Sequence, residues 1–319
     1  MMNMSKTIIF FGTDSFSACA LHSLIEANYD IAAVVTKPDS KSGRGQQLTV
    51  PLVKQIAQKH EIPVWQPTKL IEIIDDITAI KQTKDIIGVL SSYGRIIPQA
   101  IIDLFNPGII NIHPSLLPLY RGPSPIETAL INGDSQTGIS IMKLTAEMDA
   151  GPIYAQEEYA LDGTETAPQL YQTLSALGGR MLIETLPSII EANLLPSPQS
   201  NAAIYCYLLK KEDALLNTDE MTAVQAERQV RAYLAFPKTK LLITRSQKDT
   251  NDREDMIKNE TENIIITKAH LTVDQRQSTP TKDFIVAFKD DSYLTIDELI
   301  APSGKLMSGQ SFKNGYAAS

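Results

Sequence analysis

The sequence predicts an α/β protein with two parts. A Rossmann-like N-terminal domain is built on a mostly parallel sheet, and a small, OB-like β-barrel follows it. Three observations predict this. The chain opens with a strand, a helix and a second strand; a Pro/Ser-rich stretch interrupts it near residue 193; and beyond that stretch only short β-type runs between polar turns recur. The length of 319 residues suits one large and one smaller domain. A hydrophobic content of 43% with 21% charged residues suits a globular protein with a full core. The expected boundaries are 1–192 for the N-terminal domain, 193–205 for a linker and 206–319 for the barrel.

Residues 7–11 (T-I-I-F-F) form an apolar, β-branched and aromatic run that ends in Gly12, Thr13, Asp14 and Ser15. That reads as strand, turn and helix N-cap. Phe16, Ala20, Leu21, Leu24 and Ile25 then recur at helical spacing. Residues 31–35 give the second strand, and a right-handed crossover makes the pair parallel. The turn F-F-G-T-D-S-F-S lacks the G-x-G-x-x-G glycines through which a pyrophosphate approaches the backbone, so a structural turn is favoured over a dinucleotide site.

Residues 37–47 (K-P-D-S-K-S-G-R-G-Q-Q) are polar, basic and glycine-containing. Such a loop either closes over something anionic or is a solvated connector. Strands are expected at 64–66, 86–90 and 109–112, with a short helix at Ala100, Ile101 and Leu104. Residues 126–131 read helical, 139–144 and 153–156 extended, and 148–151 (M-D-A-G) as a turn. Leu170, Leu174, Leu177, Met181, Leu182, Leu186 and Ile189 trace one face of a long helix. In the C-terminal part, strands are expected at 241–244, 264–267, 284–288 and 293–296. Between the first two, 10 of the 18 residues in 245–262 are charged, as in a solvated hairpin tip.

Composition excludes several classes. The net charge of −8 argues against nucleic-acid binding by bulk electrostatics. The charge is uneven. Residues 1–209 hold 13 Lys+Arg against 20 Asp+Glu, giving −7, whereas residues 210–319 hold 16 against 17, giving −1. The two cysteines, Cys19 and Cys206, and the four histidines show no metal-ligand spacing, so no metal is expected. The first apolar run is too short for a signal peptide, and no segment approaches the ~18 apolar residues of a membrane span. A cytoplasmic protein, with no membrane partner and monomeric, is expected.

Asn111 and His113 stand one residue apart on a strand, so their side chains share a face. Asp149 follows His113 by 36 residues, in a turn between two strands. An amide, an imidazole and a carboxylate converging at a strand end can polarise a carbonyl, stabilise an oxyanion and move protons. Singly, a strand-end histidine before proline and an aspartate in a turn also have ordinary structural readings.

Asn111, Ile112, His113, Pro114, Ser115, Leu116, Leu117 and Pro118, with Asp149 downstream, resemble the motif of the 10-formyltetrahydrofolate-dependent formyltransferases. Arg121-Gly122, Pro125-Ile126, Ala129-Leu130, Gly133-Asp134 and Thr137-Gly138 narrow the resemblance to the branch that uses methionyl-tRNA, as distinct from the purine-pathway branch. Phe11-Gly12-Thr13, Lys37-Pro38-Asp39, Gly43-Arg44-Gly45 and the tail from Gly304 to Gly315 extend it over nearly the whole chain.

The resemblance implies that Asn111, His113 and Asp149 are catalytic. It implies that Ser115, Leu116, Leu117 and Pro118 border 10-formyltetrahydrofolate, and that Gly94, Arg95, Ile96 and Ile97 line its pterin pocket. Lys41 and Arg44 would hold the methionyl-tRNA acceptor end, with help from the C-terminal barrel, and no metal is needed. The chain departs from the family pattern at Leu119-Tyr120, at Pro123-Ser124 and at Pro237-Lys238-Thr239, which touch the acceptor side more than the formyl-transfer centre. Alternatives are a formyltransferase of the same fold acting on an amino sugar, a non-catalytic tRNA-binding relative, and a nicotinamide-dependent oxidoreductase. The missing glycine fingerprint disfavours the last.

Overall fold

The structure is a computed structural model that describes residues 6–42, 47–248, 257–272 and 283–316. Contacts divide the chain into two compact units. One comprises Met1–Ile126, Ser135–Leu161 and Gln169–Tyr207; the other comprises Glu127–Asp134, Asp162–Pro168 and Leu208–Ser319.

The elements run β1 (Thr7–Gly12), α1 (Ser15–Glu26), β2 (Ile31–Val35), β3 (Ser40–Ser42), β4 (Gln47–Thr49), α2 (Leu52–Lys59), β5 (Val64–Trp65) and α3 (Ile74–Lys81). Next come β6 (Ile86–Ser91), α4 (Gln99–Ile102), β7 (Ile109–His113), α5 (Pro125–Asn132), β8 (Gln136–Lys143), β9 (Ile153–Ala160) and α6 (Ala167–Ile190). The remainder is α7 (Ala223–Ala232), β10 (Lys240–Lys248), β11 (Ile257–Leu271), β12 (Phe284–Phe288), β13 (Ser292–Ile300), β14 (Leu306–Ser308) and α8 (Gly309–Tyr316).

The first unit carries a seven-stranded sheet in the order β5-β2-β1-β6-β7-β8-β9. The five strands from β5 to β7 are parallel, and the β8–β9 hairpin adds two antiparallel strands at one edge. β1, β6 and β7 are buried along their whole length. That is why they read as unbroken apolar runs: a central parallel strand is covered on both faces. Phe11 packs edge-on against Tyr93 and Phe105, with ring centroids 5.9 and 6.0 Å apart. Burying each such large apolar side chain stabilises the fold by about 1.5–3 kcal/mol.

The chain runs outward from β1 through β2 to β5, then returns to β6 on the other side of β1. The reversal point of an open α/β sheet is where ligands bind, outside the carboxyl ends of the strands. Here Asp14 caps α1, its Oδ1 accepting from the backbone N–H groups of Phe16 and Ser17 at 3.0 and 3.2 Å. The carboxylate therefore takes the donors that a pyrophosphate would need. A second latch closes this end: the Ser92 hydroxyl donates to the other Asp14 oxygen.

The second unit is built on an antiparallel sheet, β10-β11-β13-β12. β13 is paired with β11 along one edge, and shares its other edge between β12 and β14. The sheet is curled, so the expected barrel is a half-barrel, with no β10–β12 pairing among the described residues. α7 and α8 contribute to its core, where Ala226, Val230 and Phe312 join Ile264, Ile266, Leu294 and Leu299. Thr222 starts α7 with a capping box, completed by Gln225.

Candidate active site

β7 ends at the carboxyl edge of the sheet and presents Asn111 and His113 from alternate positions. Each residue is 4% exposed. The β8–β9 connection brings Asp149 to them with a left-handed backbone, φ +48°. Asn111 Nδ2 donates to Asp149 Oδ1 at 3.4 Å, and His113 Nδ1 lies 3.7 Å from Asp149 Oδ2. The three side chains expected to act together are therefore gathered at one point. The backbone N–H of Gly122 donates to Asp149 Oδ2 at 2.9 Å.

The other ring nitrogen of His113 is committed elsewhere. Nε2 lies 3.0 Å from the carbonyl oxygen of Tyr120. A carbonyl only accepts, so Nε2 carries a proton in either charge state. Nδ1, facing Asp149, is the nitrogen left to gain or release one.

The loop after β7 is held by Ser140 of β8, which is fully buried. Ser140 Oγ donates to Ser115 O at 2.6 Å and accepts from Leu117 N at 3.0 Å and Gln156 Nε2 at 2.8 Å. Gln156 Nε2 also donates to Leu117 O at 2.9 Å, and Ser115 Oγ donates to Leu119 O at 2.6 Å. Leu117 is buried, and Leu116 lies over Gly138. Ser115, Leu116, Leu117 and Pro118 thus form a backbone ledge beside His113, fixed from below by side chains.

Gly94, Arg95, Ile96 and Ile97 follow β6, the parallel neighbour of β7. They divide by task. Gly94 has φ +68° and lies under the Lys37 ammonium. Arg95 Nη1 donates to the backbone oxygens of Pro67 and Thr68. Ile97 belongs to the core, whereas Ile96 is 78% exposed. Lys41 lies on β3, and Arg44 falls outside the described residues.

Arg121, of the motif run, and three side chains without a functional signal in the sequence, Gln199, Tyr205 and Cys206, also shape the site. Gln199 Nε2 donates to the backbone oxygens of Asp149 and Gly151, at 2.8 and 2.7 Å. Its Oε1 accepts from Arg121 Nε and Nη2 at 3.0 and 2.8 Å. Arg121 is 7% exposed, and its Nη1 donates to the Tyr205 hydroxyl at 3.3 Å and faces Glu147 at 3.7 Å. Cys206 packs against the loop through its backbone: a Cβ on Gly122, which has φ +125°, would stand 2.4 Å from its carbonyl oxygen. Burial raises the Cys206 thiol pKa, with the charge of Asp149 adding to the effect. The stretch 193–205, expected as a linker, thus lies against the first unit, and Ser197 pairs with Ile153. Among the described residues no cluster of three or more His, Cys, Asp or Glu side chains could hold a metal ion.

The formyl transferase family matches residues 5–186. The methionyl-tRNA formyltransferase of Lactobacillus acidophilus is 37% identical over 317 residues, 98% of this chain and 96% of that protein. That of a Janthinobacterium species is 35% identical over 97% of each. Among solved structures, HypX from Aquifex aeolicus superimposes with a TM-score of 0.63 at 13% identity, covering 98% of this chain and 49% of its own length. An N-formyltransferase from Helicobacter canadensis, solved with folinic acid and dTDP-3-aminofucose, gives 0.62 at 19% identity, covering 92% of this chain and 99% of its own. These two likenesses speak to the fold. On its family match and its full-length relatives, this chain belongs to the formyl transferase family, within the methionyl-tRNA formyltransferases.

Proposed function

We propose that the protein transfers the formyl group of 10-formyltetrahydrofolate to the α-amine of methionine esterified to initiator tRNA. The observation that carries this reading is the convergence of Asn111, His113 and Asp149 at the end of β7 in a chain of this family.

The amine nitrogen attacks the formyl carbon, and the carbonyl oxygen becomes an oxyanion. Asn111 Nδ2 and a protonated His113 Nδ1 donate to that oxygen, each worth about 2.7–4 kcal/mol of barrier. Asp149 orients the imidazolium and, directly or through water, takes the proton that the amine sheds. The oxyanion then collapses to the carbonyl, the bond from the formyl carbon to N10 breaks, and N10 leaves with the proton that Asp149 took from the amine. Tyr120 O and Gly122 N–H fix the imidazole and the carboxylate in advance, so little reorganisation accompanies the step.

The ledge Ser115, Leu116, Leu117 and Pro118, with Gly94, Arg95, Ile96 and Ile97, borders the folate in this reading. Lys41, Arg44 and the half-barrel hold the tRNA. The division into a catalytic domain 1–192, a linker 193–205 and a tRNA-holding domain 206–319, a monomeric state and a cytoplasmic location belong to the same proposal.

The test supplies purified protein with 10-formyltetrahydrofolate, and methionyl-tRNA beside a UDP-amino sugar. Formylation of the tRNA is expected, and formylation of the sugar alone would replace this reading. His113→Ala should lose orders of magnitude in turnover while still binding folate; near-normal turnover would remove His113 from the chemistry.

A further inference from the structure

We propose that Tyr205 and Tyr207 form a stacking platform for the unpaired 3′ end of the acceptor RNA. This rests on the reading that methionyl-tRNA is the acceptor.

Tyr205 is 45% exposed and Tyr207 80%, while Cys206 between them is 5% exposed. That alternation places both rings on the outward side of one extended segment. The segment is not free to drift. Arg121 N donates to Ile204 O and Cys206 N to Arg121 O, both at 2.9 Å. Ser124 Oγ donates to Tyr207 O at 2.5 Å, and Ser124 N donates to Cys206 Sγ at 3.3 Å. The anchoring loop is the one whose Gly122 N–H holds Asp149. Two exposed rings are thus fixed to the framework of the reacting centre. The Arg121 guanidinium lies 5.9 Å from the centroid of the Tyr205 ring.

The chemistry of the acceptor selects the occupant. The reacting amine is esterified to the terminal ribose, so the unpaired bases before it must lie next to the crevice. Unpaired RNA bases are held by stacking on aromatic side chains, which tolerates any sequence because every base has a π-face. Stacking also needs no positive field, and a chain of net charge −8 supplies little of one. The partner is therefore a single-stranded RNA end continuous with the reacting ester.

The test compares the wild type, Tyr207→Ala and Tyr207→Phe in steady-state kinetics, varying methionyl-tRNA and folate donor separately. Tyr207→Ala should raise KM for methionyl-tRNA by about 5- to 150-fold, the range for one lost stacking ring. Its kcat and its KM for the folate donor should stay near wild type, and Tyr207→Phe should retain wild-type KM. A second readout places 2-aminopurine in the unpaired 3′ end of the tRNA. Wild type and Tyr207→Phe should quench it, and Tyr207→Ala should not. A Tyr207→Ala protein with wild-type KM and wild-type quenching would overturn the platform. So would a wild-type protein that self-associates through Tyr207, if Tyr207→Ala abolishes the association and leaves the tRNA kinetics unchanged. A wild-type protein that fails to formylate methionyl-tRNA would instead remove the functional reading beneath it.

Discussion

Gln199 joins Arg121 to the Asp149 turn, and removing its side chain should uncouple them. Gln199→Leu deletes two donations to backbone oxygens and the acceptor gripped by two nitrogens of Arg121. Each neutral bond contributes about 1 kcal/mol net and the charge-assisted fork about 1.5–3 kcal/mol. Gln199 is half-buried, so water replaces part of this and the expected loss of stability is about 2–3 kcal/mol. The effect on rate should exceed that share. Asp149 sits at φ +48°, a backbone state held by its surroundings, and a 1 Å misplacement of a reacting group costs on the order of 100-fold. Gln199→Glu separates the two effects. It keeps an oxygen for Arg121 but sets a carboxylate oxygen against two carbonyls. Formylation kinetics and urea unfolding on both variants decide the matter. Leu should lose stability and turnover together, and Glu should lose turnover by at least about 30-fold. Wild-type kcat in Gln199→Glu would refute the role of this side chain in placing Asp149.

Gly122→Ala should lower kcat at least about 10-fold while folate binding, followed by fluorescence, persists. The new Cβ meets Cys206 O at 2.4 Å, and the left-handed backbone adds about 1–3 kcal/mol of strain. Lys54 lowers the pKa of Asp39 by hydrogen bonding, with Gln66 contributing second. Such a depressed carboxylate stabilises the fold above the unfolded value near 3.9 and stops doing so as pH falls through the folded value. The urea midpoint of Lys54→Met should therefore fall below wild type at pH 7, with the gap narrowing as pH falls below the unfolded value. Burial raises the Cys206 thiol pKa, so alkylation by iodoacetamide at about pH 8 should be slower than for a free cysteine, as peptide mass mapping would read.

The frame of the first unit was legible because its central strands are covered on both faces. Residues 7–11, 31–35, 86–90 and 109–112 appear as Thr7–Gly12, Ile31–Val35, Ile86–Ser91 and Ile109–His113. The strand at 153–156 continues to Ala160, because the edge strand alternates exposed and covered residues and loses its apolar signature. α3 left little trace: Asp75, Asp76 and Lys81 dilute its apolar stripe, and Ile77 is its one buried side chain. α7 has no counterpart among the expectations, which placed only short strands in that part of the chain; its capping box of Thr222 and Gln225 appears in the structure. Asn111 and His113 were legible because strand geometry fixes residues two apart. Gln199 was not: it lies 50 residues after Asp149, and a glutamine in a Pro/Ser-rich stretch has the texture of a connector. Long-range hydrogen bonds leave no periodicity to read.

The carboxylate of Asp14 has a consequence for what the protein refuses. A phosphate arriving at the start of α1 would meet a negative side chain already holding the N–H groups of Phe16 and Ser17. Ser92, bonded to the same carboxylate, joins the turn after β1 to the turn after β6. Free nucleotides and phosphorylated metabolites thus find the customary berth of this topology filled. The sheet keeps its reversal point as scaffold and leaves the neighbouring strand end, where Asn111 and His113 stand, to do the chemistry.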